Sequence, residues 1–157
     1  MIEIISVKER IVNYLNDSGF SFRQINHSAA TGSQAYYQIL GMKYAQQVKA
    51  FLIKHISDRG EGFAIIAIQA RKKPDLTLIA KKIGVSHVIP VSGDQLKEVT
   101  GCDVMELPPV AKPFGLFLLM DKDLLEQDLI YFTVGGLAFS IAMAPQDLLR
   151  LERPILF

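Results

Sequence analysis

The run Gln46-Gln47-Val48-Lys49-Ala50-Phe51-Leu52-Ile53 constrains this chain more than any other stretch. It is short and apolar, holds β-branched and aromatic residues, and lacks Gly and Pro, so a β-strand is expected. Alternation puts Val48, Ala50 and Leu52 on one face and Lys49, Phe51 and Ile53 on the other. Both faces are apolar, which places the strand inside a sheet. A turn-rich break at 55–61 leads to a second apolar run at 63–68, Phe-Ala-Ile-Ile-Ala-Ile. The two should pair as an antiparallel hairpin. Lys49 is then a cation aimed at a sheltered surface. Its stem can pack while its head snorkels to water. Otherwise it needs a partner, a wet pocket or a ligand, because an unpaired buried ammonium is costly.

The rest of the chain surrounds this hairpin with helices. Ser6 and Glu9 have capping-box spacing, and Val7, Ile11, Tyr14 and Leu15 recur at helical spacing up to Gly19. A short strand is expected at 20–25, then a polar connector at 26–33, in which Thr31 or Ser33 caps a helix ending at Gly41. Pro74-Asp75 opens a helix through Leu76, Ile79, Ala80 and Ile83. Pro90 marks segment 87–91 as an edge strand or a strand end, and Ser92 with Gln95 repeats the capping-box pattern. Further strands are expected at 114–120, 129–134 and 139–143, with a short helix at 121–128 and a Gly135-Gly136 turn between the last two strands. Pro145 begins a final helix, and the apolar tail 154–157 should pack back or meet a partner. With no internal repeat or linker, residues 1–157 read as one α/β (mixed α+β) domain with a largely antiparallel sheet.

Composition narrows the function. Seventeen basic residues against sixteen acidic ones give no broad cationic field, so any nucleic-acid contact should be local and coating of DNA is not expected. No apolar run approaches the ~20 residues of a membrane span. The single cysteine, Cys102, rules out an internal disulfide, and the N-terminus lacks a cationic leader, so the cytoplasm is the expected compartment. His27, His55, His87 and Cys102 lack ligand spacing, so neither a metal nor another cofactor is expected. There is no Walker loop and no nucleophile elbow. The loop histidine His27 could meet a ligand, act as a base or do neither; what remains is one placed cation, the amides of a glycine turn, and hydroxyls such as Thr31 and Ser140. Such a set suits polarising a carbonyl or a phosphate while water or the substrate supplies the nucleophile.

The order of segments resembles a known family. The resemblance is carried by Asn26-His27-Ser28 before a helix, Gln47-Val48-Lys49 in a strand, and Asp75-Leu-Thr-Leu-Ile-Ala-Lys-Lys-Ile-Gly84. Segment 92–101, Pro113-Phe114-Gly115, and Gly135-Gly136 through Ser140 to Leu149 complete it. The chain resembles the YbaK/ProX-type aminoacyl-tRNA deacylases, relatives of the editing domain inserted in bacterial prolyl-tRNA synthetases. The resemblance implies a barrel-like mixed sheet and hydrolysis of the ester joining a wrong amino acid to the tRNA 3′ end. It implies a catalytic role for Lys49. It implies a pocket for the aminoacyl-adenosine bordered by the loop holding His27 and by the Gly135-Gly136 turn, with Thr31 and Ser140 as the candidate substrate-binding hydroxyls. An aminoacyl-tRNA synthetase is a possible second partner. The chain departs from the family pattern at two places. Met105 stands where a loop glycine is expected, and Leu137-Ala138-Phe139 replaces a basic, glycine-containing run. The same pocket could instead serve a non-catalytic module that binds aminoacyl-adenosine or another small ligand, or be inert in an interaction domain.

Overall fold

The computed structural model describes residues 5–104 and 106–157. The expected hairpin forms: β2 (Val48–Ser57) and β3 (Gly60–Gln69) pair antiparallel over their whole length, with Lys49 opposite Ile68. Ile65, Ile66 and Ala67 of β3 are fully buried, as both-face apolarity requires. Burying a side chain such as Ile is worth about 1.5–3 kcal/mol, so this hairpin anchors the sheet.

Around it the five-stranded sheet runs β4-β2-β3-β5-β8, with β4 at His87–Val91, β5 at Phe117–Met120 and β8 at Ile155–Leu156. β4 is an edge strand, one of the two places Pro90 allows. β5 lies parallel to β3 and β8 parallel to β5, so the apolar tail packs back onto the sheet. A three-stranded antiparallel sheet runs β1-β7-β6, with β1 at Phe22–Asn26, β6 at Ile130–Thr133 and β7 at Phe139–Met143. The two sheets meet through one isolated parallel bridge, Gln47 to Tyr131. They do not close into a barrel, contrary to the barrel-like expectation, because a single bridge replaces the ladder that closure needs.

Two cores follow from strand alternation. Val48, Leu52, Ile65 and Ala67 face Phe132, Phe139, Ile141 and Met143 of the smaller sheet, together with Ile11 and Leu15 of α1 (Val7–Ser18). The opposite face, with Ile53, Ile66 and Ile68, packs on Ile79 and Ala80 of α3 (Leu76–Ile83). The caps of these two helices form as the sequence suggests: Ser6 accepts from the Glu9 amide at 3.1 Å and Asp75 from the Leu78 amide at 3.0 Å.

Local expectations fail where glycine takes the decisive position. α2 (Ser33–Leu40) is capped by Gly32, at φ 85°, and not by Thr31 or Ser33. α4 (Gly93–Thr100) has Ser92 at its cap but no cap bond, because Gly93 enters at φ 62° and distorts the first turn. Segment 112–114 is a 3-10 turn closed by Gly115 at φ 71°, so β5 begins at Phe117 and not at Phe114. The expected helix at 121–128 is a 3-10 stretch, Lys122–Glu126. α5 (Pro145–Glu152) starts on its proline as expected.

Candidate active site

The site exists because β2 changes neighbours. β4 pairs with β2 only from Leu52 to Ile56. Nearer its start, β2 parts from β4 and touches β6 through the Gln47–Tyr131 bridge. Ser33 and Tyr36 of α2, with Val104 and Leu107, border the resulting gap, a cavity of about 240 Å³. Gln47, in extended backbone just before β2, and Lys49 within it are two apart and so fall on one face. Tyr131 and Thr133 share a face of β6, and Ser140 of β7 lies opposite Thr133. All five line the cavity.

Lys49 lies beside this cavity and is only partly exposed. Among the described residues it has no salt bridge, and no carboxylate lines the cavity. Burial lowers its pKa below the usual lysine value, and the nearby positive charge of Lys73 lowers it further. The result is an ammonium with no counter-ion among the described residues, held where a ligand's oxygen could supply a partner.

Ser140 and His27 form a hydrogen-bonded pair across 113 residues of sequence, with Oγ and Nε2 2.8 Å apart. His27 Nδ1 sits 2.7 Å from the carbonyl oxygen of Ser28. That carbonyl can only accept, so Nδ1 carries the proton and the neutral ring's Nε2 accepts from the Ser140 hydroxyl. The His27 amide donates to Ala138 O and the Ala30 amide to Leu137 O, which pins this loop to the β6–β7 connection. Tyr36 meets the His27 ring edge-on at a centroid distance of 5.9 Å. Burial raises the pKa of the Tyr36 hydroxyl, and the Thr133 hydroxyl beside it pulls the other way.

Gln47 belongs to the Gln47-Val48-Lys49 motif but is absent from the site residues expected from sequence. Its Nε2 donates to Ser33 O at 3.0 Å and to Met42 O at 3.4 Å. Two carbonyls on that side fix which end of the amide is nitrogen. Its Oε1 is then the only buried side-chain polar atom without a partner among the described residues. Leaving such an acceptor unpaired costs about 1–3 kcal/mol, a cost a bound donor would remove. The signal was available: Gln47 stands two residues before Lys49 on the same face.

The other expected residues fall outside the cavity wall. Thr31 is exposed and does not line it, although its neighbours Gly32 and Ser33 do. Gly135 and Gly136 shape the β6–β7 turn, at φ 69° and 142°, without lining the cavity. His27 does not line the cavity; it meets two residues that do, Ser140 by a hydrogen bond and Tyr36 by a ring contact. Met105 lies outside the described residues. Cys102 is fully buried, and burial raises its thiol pKa, which suits a packing residue rather than a nucleophile. The described residues contain no group of three or more His, Cys, Asp or Glu able to hold a metal ion. None of their helices is long and apolar enough to cross a membrane.

The chain is similar to known proteins. The chain is 31% identical over 148 residues, 93% of its length and 88% of theirs, to the proteins named "Multifunctional Ser/Thr-tRNA deacylase ProXp-y" in Escherichia coli K12 and O157:H7. It superposes with a TM-score of 0.80 and 20% identity on the crystal structure of a candidate trans-editing enzyme for prolyl tRNA synthetase, covering 99% of this chain and 97% of that one. Residues 27–151, from the histidine paired with Ser140 to the last turn of α5, match the family described as "Aminoacyl-tRNA editing domain", and the chain belongs to that family.

Proposed function

We propose that this protein hydrolyses the ester between an amino acid and the 3′-terminal ribose of a mischarged tRNA, acting on the charged tRNA in trans. The observation that carries this reading is the ammonium of Lys49, without a counter-ion among the described residues, beside a cavity also lined by Ser140, whose hydroxyl is hydrogen-bonded to His27. The ester carbonyl oxygen takes the place of the missing partner of Lys49. As water adds to the carbonyl carbon, negative charge grows on that oxygen and the ammonium stabilises it. The water's proton passes to Ser140 while Ser140 gives its own proton to His27 Nε2. The C–O bond to the ribose then breaks, and the proton returns to the departing ribose oxygen. Carbon–oxygen bonds formed and broken balance, and no group on the protein is left modified.

Gln47 lines the cavity, and a shift of its buried side chain would bring the unpaired Oε1 to a donor on the aminoacyl group. The Escherichia coli relatives bear a name specifying Ser/Thr-tRNA, and a side-chain hydroxyl is such a donor. The tRNA acceptor end is the partner, and an aminoacyl-tRNA synthetase would be the source of the mischarged substrate.

The test is turnover of a panel of mischarged tRNAs by the wild type and by Lys49→Ala. Hydrolysis that falls by about 10²–10³-fold in kcat/KM on substitution supports the reading. Equal turnover by Lys49→Ala would remove Lys49 from the chemistry. Saturable binding of a non-hydrolysable aminoacyl-adenosine with no turnover on any tRNA would make the domain a binding module instead.

A further inference from the structure

A second cluster lies outside the cavity wall. Tyr37 of α2 stacks on Tyr44 in the 3-10 turn that follows, with ring centroids 5.6 Å apart and planes 25° apart. The Arg71 guanidinium lies over the Tyr44 ring at 4.3 Å. Tyr37 remains 51% exposed and Arg71 is exposed, so burial does not account for this alignment of planar groups. The local sequence is cationic: from residue 18 to residue 57 the chain has Arg23, Lys43, Lys49 and Lys54 but no Asp or Glu, with Lys54 paired to Glu61. Arg71-Lys72-Lys73 adds three more cations. Lys72 is held by Asp121 and Asp123, whereas Lys43, Arg71 and Lys73 make no salt bridge among the described residues.

The cluster adjoins the cavity through the chain itself. Tyr37 follows Tyr36, Arg71 follows Ala70, and Met42 precedes Tyr44 by two; Tyr36, Ala70 and Met42 all line the cavity. The Ala70 amide donates to Gln47 O at 2.8 Å, which fixes the Arg71 segment to the strand that carries Lys49. An exposed Tyr37 ring stacked on half-buried Tyr44 and backed by a guanidinium, with Asp121 and Asp123 engaged by Lys72 and with Lys43, Arg71 and Lys73 left without salt bridges among the described residues, is suited to stacking unpaired nucleobases and holding their phosphates.

We propose that Tyr37, Tyr44 and Arg71 form a stacking platform for the unpaired nucleotides immediately before the terminal adenosine of the tRNA acceptor end, with Lys43 and Lys73 supplying phosphate contacts. This rests on the deacylase reading: the cavity takes the aminoacyl-adenosine and the platform takes the bases upstream of it.

The test compares two substrates and one ligand. Tyr37→Ala and Arg71→Ala should raise KM for an aminoacyl-tRNA by roughly ten-fold, the scale of losing one stacked base. They should leave kcat, and all parameters for an aminoacyl-adenosine ester lacking upstream nucleotides, unchanged. Tyr37→Phe should restore wild-type KM. Binding of a fluorescent, uncharged oligoribonucleotide ending in CCA, measured on Lys49→Ala, should weaken when Tyr37→Ala is added or when the two cytidines are made abasic. That readout needs no turnover, so it decides the platform even if the hydrolytic reading fails. Unchanged KM with unchanged oligonucleotide binding overturns the proposal, as does an equal loss on both substrates.

Discussion

At the scale of single residues, the site is defined by what Lys49, Gln47 and Ser140 lack or share. Lys49 acts through its charged form, and burial together with Lys73 places its pKa below the ordinary lysine value. Loss of the proton on the alkaline side removes the oxyanion partner. The alkaline limb of kcat/KM should therefore appear at a lower pH than a free lysine would give. Lys73→Ala removes the second cause and should move that limb upward, a shift read from a pH–rate profile. Gln47→Leu deletes the unpaired acceptor. The seryl-to-alanyl ratio of kcat/KM should then collapse by about ten-fold or more, as expected when a polar recognition group is lost. A variant that melts earlier yet keeps the ratio would reduce Gln47 to an anchor for Ser33 and Met42. Lys49 was legible in the sequence because strand alternation fixes its face. The pairing of Ser140 with His27 was not, because no local pattern links residues 113 positions apart.

At the scale of elements, most helices announced themselves, and their fastening to one another did not. Glu152, in the last turn of α5, is buried and accepts from Tyr14 of α1 at 2.6 Å, from the Ala111 amide at 2.7 Å and from the Lys112 amide at 3.2 Å. One carboxylate thus joins both terminal helices to the loop before β5. Glu152→Ala strands these donors and should cost about 3 kcal/mol in denaturant unfolding, whereas Tyr14→Phe should cost about 1 kcal/mol. The same carboxylate raises the Tyr14 pKa after burial has already done so, and the hydroxyl stays protonated across the working pH range. Gly135 is a second fastening point. Its φ of 69° is left-handed, and an added Cβ would lie 3.1 Å from Lys8 Cβ. Gly135→Ala should lower stability by about 1–3 kcal/mol. The double glycine revealed the turn, but only the packing of α1 against it shows why Gly135 cannot be replaced.

At the scale of the whole molecule, the two sheets and the tail determine where the cavity can be. β8 covers the outer edge of β5, where Phe157 N donates to Met120 O and Lys122 N donates to Phe157 O. Removing residues 155–157 exposes that edge. The melting temperature should fall by roughly 4–8 °C, the scale of about 2 kcal/mol, and concentration-dependent association should follow from the open strand. Light scattering beside a thermal melt reads both. The sequence by itself determined the central hairpin, the extents of most helices and the face on which Lys49 stands. These depend on periodicity, end caps and turn residues acting over a few positions. Only the tertiary structure decided that there is a cavity beside Lys49. The cavity depends on β4 stopping at Leu52 and on β6 meeting Gln47 through a single bridge, and no short-range pattern encodes where two distant strands part.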